Sequence, residues 1–415
     1  MTVLGAIADD FTGATDLAGI LARDGRRVLF VIGVPDQPLP PADAIVVALK
    51  SRTIPAAEAV QQSLDALRWL KTQGAGQILF KYCSTFDSTA AGNIGPVADA
   101  LGDALGAGPA IVCPAFPTNC RTIYQGHLFV GDRLLQNSSM RDHPLTPMRR
   151  SNLVELMAEQ SRYKVGLVPH AVVAKGTQAI RSAFAQAARD GIRYLVTDAV
   201  TDSDLMAIGR AARDSRLITG GSAIAIGLAT ERTAAPRKTS TITSSSRGRV
   251  IVLAGSCSAA TREQLRRAMV IWPHHKLDMD GIAAGEPIVE KAAKWLHAQP
   301  PAQPVVVYGS ADPAEVAANQ ARYGRERAGE MMERALSALV REAVAGGVSR
   351  LMVAGGETSG AVVSALGITA LEIGSEIAPG VPWTRTINEP ALEIALKSGN
   401  FGGPDFFERA LATPF

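Results

Sequence analysis

Residues 2–23 read Thr2-Val-Leu-Gly-Ala-Ile-Ala8, then Asp9-Asp10-Phe-Thr-Gly-Ala-Thr-Asp16, then Leu17-Ala-Gly-Ile-Leu-Ala-Arg23. The first run is almost continuously apolar and stops abruptly at two carboxylates. A strand buried on both faces has that composition, whereas a half-exposed strand alternates. The last run reads as a helix. A strand, a polar turn and a helix in succession open a βαβ unit, and so predict a parallel sheet.

The pattern recurs outward from there. Arg27–Val34, Ala44–Leu49, Gln77–Tyr82, Ala110–Cys113, Lys164–Val168 and Tyr194–Thr197 read as strands. Ala56–Gln73, Gly176–Asp190 and Asp202–Asp214 read as helices between them. Arg232–Arg249 breaks the rhythm: it is Ser/Thr-rich and has no apolar period, which predicts a linker, since structureless loops beyond about 15 residues are uncommon inside domains. Alternation then restarts with strands at Arg249–Ala254, Pro304–Tyr308, Arg350–Ala354 and Thr369–Ile373. Helices are expected at Ala259–Val270, Pro287–Ala298, Arg325–Ala345 and Ser359–Ala365. The expectation is an α/β protein of two domains, each a mostly parallel sheet flanked by helices: 1–232, a linker at 233–248, and 249–415.

The 415 residues exceed what one hydrophobic core usually serves. With 47% hydrophobic and 20% charged residues the chain is globular. A net charge of +3, from 42 basic and 39 acidic residues, argues against a nucleic-acid partner. No apolar run approaches the roughly 18 residues of a membrane span, and the N-terminus lacks the basic region of a signal peptide. The four cysteines show neither CxxC nor zinc spacing. Cys83 and Cys113 end apolar runs and are expected to be buried free thiols. A cytoplasmic location is expected, and a homo-oligomer remains open.

Chemistry concentrates at strand ends, where open α/β sheets bind ligands. Asp9, Asp10 and Asp16 can accept hydroxyl hydrogen bonds, hold a cation or take a proton, although Asp10 or Thr12 can also simply cap the helix. Lys81 lies in an apolar run, where an unpaired ammonium is costly, and is followed by Ser84, Thr85, Asp87 and Ser88. Arg52 and Arg121 are candidate clamps for a carboxylate. In the second half, Gly255-Ser-Cys-Ser258 and Gly355-Gly-Glu-Thr-Ser-Gly360 each link a strand to a helix, an arrangement that binds anions through free N–H groups and the helix dipole. Glu357 can meet a metal or a ribose hydroxyl. Gly399-Asn-Phe-Gly-Gly403 is a further glycine loop. The dinucleotide fingerprint and the P-loop are both absent.

Taken in order, these segments resemble the four-carbon acid sugar kinase family, and within it the 3-oxo-tetronate kinase branch. The resemblance rests on Ile7-Ala-Asp-Asp-Phe-Thr-Gly-Ala-Thr-Asp16, Leu49-Lys-Ser-Arg-Thr53, Lys81-Tyr-Cys-Ser-Thr-Phe-Asp-Ser-Thr89 and Tyr124-Gln-Gly-His-Leu-Phe-Val130. It continues through His143-Pro-Leu-Thr-Pro-Met148, Thr219-Gly-Gly-Ser222, Gly255-Ser-Cys-Ser258, Gly355-Gly-Glu-Thr-Ser-Gly360 and Lys397-Ser-Gly-Asn-Phe-Gly402. It covers nearly the whole chain.

It implies an N-terminal sugar-acid domain, a C-terminal nucleotide domain and an active site in the cleft between them. The activity implied is phosphorylation of the 4-hydroxyl of a 3-oxo-tetronate by ATP with Mg²⁺. Carried over, nucleotide binding falls on Ser256, Ser258, Gly355, Gly356, Glu357, Thr358, Ser359 and Gly402. Asp9, Asp10 and Lys81 would act on the substrate, with Arg52, Ser84, Thr85, Asp87, Ser88 and Arg121 binding the sugar acid. Thr118-Asn-Cys-Arg121 departs from the family pattern, which places glycine before the arginine. A threonate or erythronate kinase and a non-catalytic sugar-acid sensor are the alternative readings.

Overall fold

The seven apolar runs read as strands in the first half pair in parallel within one sheet. In a computed structural model, residues 3–23, 25–35, 39–142, 146–228, 248–387 and 391–415 are described. The chain divides into two units, Met1–Ala235 and Pro236–Phe415. Most of the expected linker, and His143-Pro-Leu145 of the family segments, lie outside the described residues.

The strands of the first unit are β1 (Val3–Ala8), β2 (Val28–Ile32), β3 (Ala44–Ala48), β4 (Ala75–Lys81) and β5 (Ala110–Cys113). They continue with β6 (Arg121–Tyr124), β7 (His127–Val130), β8 (Arg133–Leu134), β9 (Lys164–Val168), β10 (Ile192–Thr197) and β11 (Leu217–Gly220). Eight of them build one parallel sheet in the order β2-β3-β1-β4-β11-β5-β10-β9. The remaining three, β6 to β8, form a small antiparallel sheet.

The short strand β11 was not expected from the sequence, yet it sits between β4 and β5. Its Gly220 is obligatory, because a β-carbon there would lie 2.3 Å from the Cys113 carbonyl oxygen. Its Thr219 is fully buried, donating to the Ile111 carbonyl (2.7 Å) and bonded to the Tyr82 hydroxyl (3.0 Å).

The second unit has β12 (Arg249–Ala254), β13 (His274–Lys276), β14 (Val305–Tyr308), β15 (Val348–Ala354), β16 (Ala370–Ala378), β17 (Val381–Thr386) and β18 (Glu393–Lys397). Their order is β13-β14-β12-β15-β18-β17-β16. The first five are parallel and the last two join antiparallel. Its core gathers Val252, Val306, Met352 and Trp383, which directly paired strands place on one face of the sheet, with Phe406 from helix Phe406–Ala412. Trp383 is fully buried, and its indole N–H donates to the Ala410 carbonyl (3.0 Å), which satisfies the one polar group that burial would otherwise strand.

Two expected helices begin earlier than read. The first spans Phe11–Arg23, so Asp16 lies on a helix and bonds Ser222. The helix expected from Ser359 spans Gly356–Ala365. Of the cysteines, Cys113 is buried and Cys83 half-buried, while Cys120 and Cys257 are exposed; all four are free. No helix among the described residues is long and apolar enough to cross a membrane.

Candidate functional site

In the first unit the carboxyl ends of β1, β3 and β4 bring four of the expected residues together. Asp9 follows β1 and is held by main-chain bonds on both sides. Its N–H donates to the Lys81 carbonyl (3.1 Å), and its carbonyl accepts from Ser51 (2.9 Å) and Arg52 (3.2 Å). Arg52 returns to grip the Asp9 carboxylate with two bonds, Nε to Oδ2 at 2.9 Å and Nη2 to Oδ1 at 2.8 Å. The same Nη2 lies 2.5 Å from Asp10 Oδ1, which also receives the Lys81 ammonium at 3.0 Å. Asp10 Oδ2 accepts from the Gly13 N–H (3.1 Å), so Asp10 caps the helix as well as pairing two cations.

Burial pushes the two carboxyls upward, but their neighbours differ. Asp9 is almost wholly enclosed, and desolvation outweighs the Arg52 guanidinium, so its pKa is raised. At Asp10 the charges of Lys81 and Arg52 overcome desolvation and its pKa is lowered. Asp10 is also the more open of the pair, with a quarter of its side chain exposed against a twenty-fifth for Asp9.

Residues missed in the sequence support this cluster. The Asn93 amide donates to the carbonyls of Ser51 (2.6 Å), Arg52 (3.2 Å) and Ile54 (3.2 Å), fixing the Arg52 loop from below. Nothing in a lone Asn before a helix signals such a role. Gly13 was in the quoted stretch, but only the fold shows why it is glycine.

The Ser84–Ser88 loop follows β4. Thr85 donates to the Asp87 carboxylate (2.6 Å) and meets the Cys83 thiol (3.0 Å). Burial, with the Asp87 charge next, raises the Cys83 pKa to about 11, so it stays a thiol at neutral pH. That thiol feels Arg52 as well, which ties this loop to the aspartate cluster. Ser88 turns instead to the Gln160 side chain (3.3 Å), and Ser84 is half-buried. Phe86 adopts a positive φ of 51° with its ring fully buried against Tyr82. Such backbone strain in a non-glycine residue gathers at functional loops.

Arg121 lies in β6 rather than beside these residues in the main sheet. It bonds the Asn119 carbonyl, and its Nε is buried without a partner among the described residues. Cys120 before it has φ 56° and ψ 35°, the left-handed region where a glycine carries no steric penalty. The departure from the family pattern therefore falls at the position where glycine is physically favoured.

In the second unit three loops meet beyond β12, β15 and β18. Gly255 and Ser256 N–H groups both donate to the Ala354 carbonyl (3.1 and 3.2 Å), and Gly355 N–H donates to the Lys397 carbonyl (2.9 Å). A β-carbon on Gly255 would lie 2.2 Å from Thr358 Oγ1, and one on Gly399 would lie 2.3 Å from Ser256 Oγ. A side chain at either glycine would displace the facing hydroxyl, so glycine lets the loops approach with those hydroxyls in place. Gly402, at φ 79°, ends the third loop; a β-carbon there would strike Phe406 at 2.5 Å.

The two strand-to-helix turns differ in one respect. Helix Ala259–Ile271 is closed by its own cap, because Ser258 Oγ accepts from Thr261 N–H (3.2 Å). Helix Gly356–Ala365 has no side-chain cap, and a β-carbon on Gly356 would meet nothing within 4 Å. Among the described residues its first N–H groups have no acceptor, which leaves them open to an anion. Thr358 and Ser359 are buried in that first turn, while Gly356 and Glu357 are exposed. Glu357 faces Glu333 from helix Arg325–Ala345, and burial together with that neighbouring charge raises the Glu333 pKa.

Residues 4–228 match a sugar-binding N-terminal domain and residues 251–407 a nucleotide-binding C-terminal domain. A 3-oxo-tetronate kinase of Burkholderia multivorans is 52% identical over 414 residues, covering 99% of this chain and 96% of that one. One of Cupriavidus necator is 51% identical over 418 residues with the same coverage. A crystal structure of a Haemophilus influenzae protein superposes with a TM-score of 0.93 at 43% identity, covering 99% of each chain.

Proposed function

Since the chain belongs to the four-carbon acid sugar kinase family, in its 3-oxo-tetronate kinase branch, we propose that it transfers the γ-phosphoryl group of ATP to the 4-hydroxyl of a 3-oxo-tetronate. The observation that carries this reading is the near-full-length match to relatives of that name. The product would be the 3-oxo-tetronate 4-phosphate. A reaction that spends ATP on a sugar acid suits the cytoplasm, as do four free cysteines.

Phosphoryl transfer needs positioning and charge neutralisation more than a strong base. A carboxylate whose pKa is lowered stays ionised, so Asp10 is suited to orient the 4-hydroxyl; as a weak base it would accept the proton only late, once the O–P bond forms and ADP leaves. Asp9 anchors Arg52. The guanidinium keeps Nη1 uncommitted among the described residues, and with Lys81 it would draw the substrate carboxylate. Thr85, Asp87 and Ser84 offer donors and an acceptor to the hydroxyls and ketone, while Ser88 acts through Gln160. Arg121 would approach the sugar acid from β6, outside the main sheet.

For the nucleotide, the uncapped turn Gly355-Gly356-Glu357-Thr358 would take the phosphates, with Ser359 packing beneath. Ser256 is the better of the two serines for a direct contact, because Ser258 Oγ is engaged by Thr261 and the Gly399 carbonyl (2.7 Å). Gly402 would approach from the third loop. Mg²⁺ would neutralise the phosphate charge. Glu357 fits it: it is exposed beside the phosphate turn and faces a second carboxylate, a repulsion that a divalent cation would relieve.

The test is an ADP-release assay with Mg-ATP and 3-oxo-tetronates of both carbon-2 configurations, beside D- and L-threonate and erythronate. Turnover confined to the 3-oxo acids is expected. Turnover on the unoxidised acids would reassign the substrate, and no ADP release from any would overturn the reading.

A further inference from the structure

Lys397 ends β18 with 2% of its surface exposed. Its ammonium has no carboxylate partner among the described residues. It donates to Thr261 Oγ1 (3.1 Å), the Ser398 carbonyl (3.1 Å) and the Gly399 carbonyl (3.2 Å). The buried Gln264 amide acts in parallel, donating at 3.0 Å to the carbonyls of Phe401, Gly402 and Gly403. Together they draw the carbonyls of residues 398, 399 and 401–403 to one side of the loop.

A trans peptide points its C=O and N–H in opposite directions. The N–H groups of Gly399, Asn400, Gly402 and Gly403 therefore face away from Lys397 and Gln264. None of the four has an acceptor among the described residues. A row of free N–H groups with a buried ammonium behind it is a cradle for an anion.

We propose that Lys397 and Gln264 are the positioning residues of the nucleotide site: they hold loop 398–403 with its N–H groups turned toward a nucleotide phosphate, and Lys397 supplies the positive charge behind them. The proposal rests on the kinase reading above. Neither side chain touches the nucleotide; each acts through the loop.

The groups facing the ammonium are Thr261 from helix Ala259–Ile271, the two loop carbonyls, and the Phe406 ring at 5.7 Å from helix Phe406–Ala412. None is titratable. Burial alone lowers the Lys397 pKa to about 8. A phosphate arriving over the loop favours the charged form, so nucleotide binding should take up a proton near pH 8.5, where the phosphates themselves are already ionised.

The test is calorimetric titration of the full chain with Mg-ADP at pH 7 and pH 8.5, each in buffers of different ionisation enthalpy. Wild type should take up about half a proton or more at pH 8.5 and little at pH 7. Lys397→Met should weaken ADP binding about tenfold or more at pH 7 and abolish the uptake. Gln264→Leu should weaken binding and keep the uptake, which a merely structural role for Lys397 does not predict. ADP binding without proton uptake in wild type, which needs no variant to fold, overturns the proposal and leaves the kinase reading standing. Unaltered ADP affinity in Lys397→Met overturns it too. Failure of wild type to bind ADP at all overturns the kinase reading itself.

Discussion

The ammonium of Lys81 occupies the space that a β-carbon on Gly13 would fill, 1.4 Å from it. The ion pair between Lys81 and Asp10 exists because position 13 has no side chain. Alanine in a helix is about 1 kcal/mol more favourable than glycine, so Gly13→Ala carries no intrinsic helix penalty. The variant should remain folded by circular dichroism yet lose turnover about a hundredfold or more, since the lysine must move by more than an ångström. Turnover close to wild type would remove Lys81 from the site.

Asp10→Asn should lower turnover by about 10²-fold if the carboxylate takes the hydroxyl proton. The lowered pKa also sets a pH expectation. The contribution of ionised Asp10 is fully present above the ordinary carboxylate value of about 3.9 and is lost only as pH falls through its still lower folded value. A kcat profile should therefore show no acid limb from this group between pH 8 and about pH 5.

Arg52→Met leaves the Asp9 carboxylate buried and unpaired, a loss of about 3–5 kcal/mol in stability. The pKa of Asp9 is already raised and should rise further. The folded state then holds a proton that the unfolded state releases, so stability declines as pH rises from the unfolded value through the folded one. Urea unfolding should find the deficit larger at pH 8 than at pH 5, and Asp9→Asn should recover much of it. A deficit independent of pH would show that the guanidinium matters for packing rather than for charge.

Cys120→Gly should stabilise the chain by up to about 1 kcal/mol. The exposed thiol contributes no core packing, and glycine meets no β-carbon penalty at a φ of 56°. Thermal unfolding under reducing conditions checks this; a lower melting temperature would show that the left-handed turn is not the cost it is taken to be.

Lys397→Met separates stability from function. Burial depresses the lysine pKa from its ordinary value to about 8, so below pH 8 the folded state carries a desolvated charge worth up to about 3 kcal/mol. Between pH 8 and roughly 10.4 the unfolded chain keeps a proton that the folded chain releases, and wild type gains stability with pH. The variant should match or exceed wild type at pH 7, and its advantage should shrink toward pH 10. An advantage constant across that range would contradict the assigned titration.

Strand ends were legible because strands buried on both faces leave an unbroken apolar signal that stops where the loop begins. That signal placed Asp9, Asp10, Ser256 and Gly355 at loop positions and Lys81 near the end of its strand. It failed at β11, where four residues, one of them glycine, are too few to show a period. It also failed at β17, whose Trp383, Thr384, Arg385 and Thr386 mix polar and apolar positions in a strand paired antiparallel on both sides. The helix at Phe11 was read late because Gly13 and Thr12 are poor helix formers, and the capping carboxylate of Asp10 starts the helix regardless.

By itself the sequence determined the strand–helix alternation, the family and the residue types available at each loop, since those depend on local composition and on motif order along the chain. Which of those residues meet was decided by tertiary structure. Parallel pairing of β1 with β3 and β4 aligns Asp9 with Arg52 and Lys81, which are 43 and 72 positions further along the chain. Likewise only the folded loops distinguish the self-capped turn at Ser258 from the open one at Gly356, and only they place the Lys397 ammonium beneath residues 398–403. The distinction is physical: hydrogen-bond commitment and burial belong to neighbours in space, and those neighbours are distant in sequence.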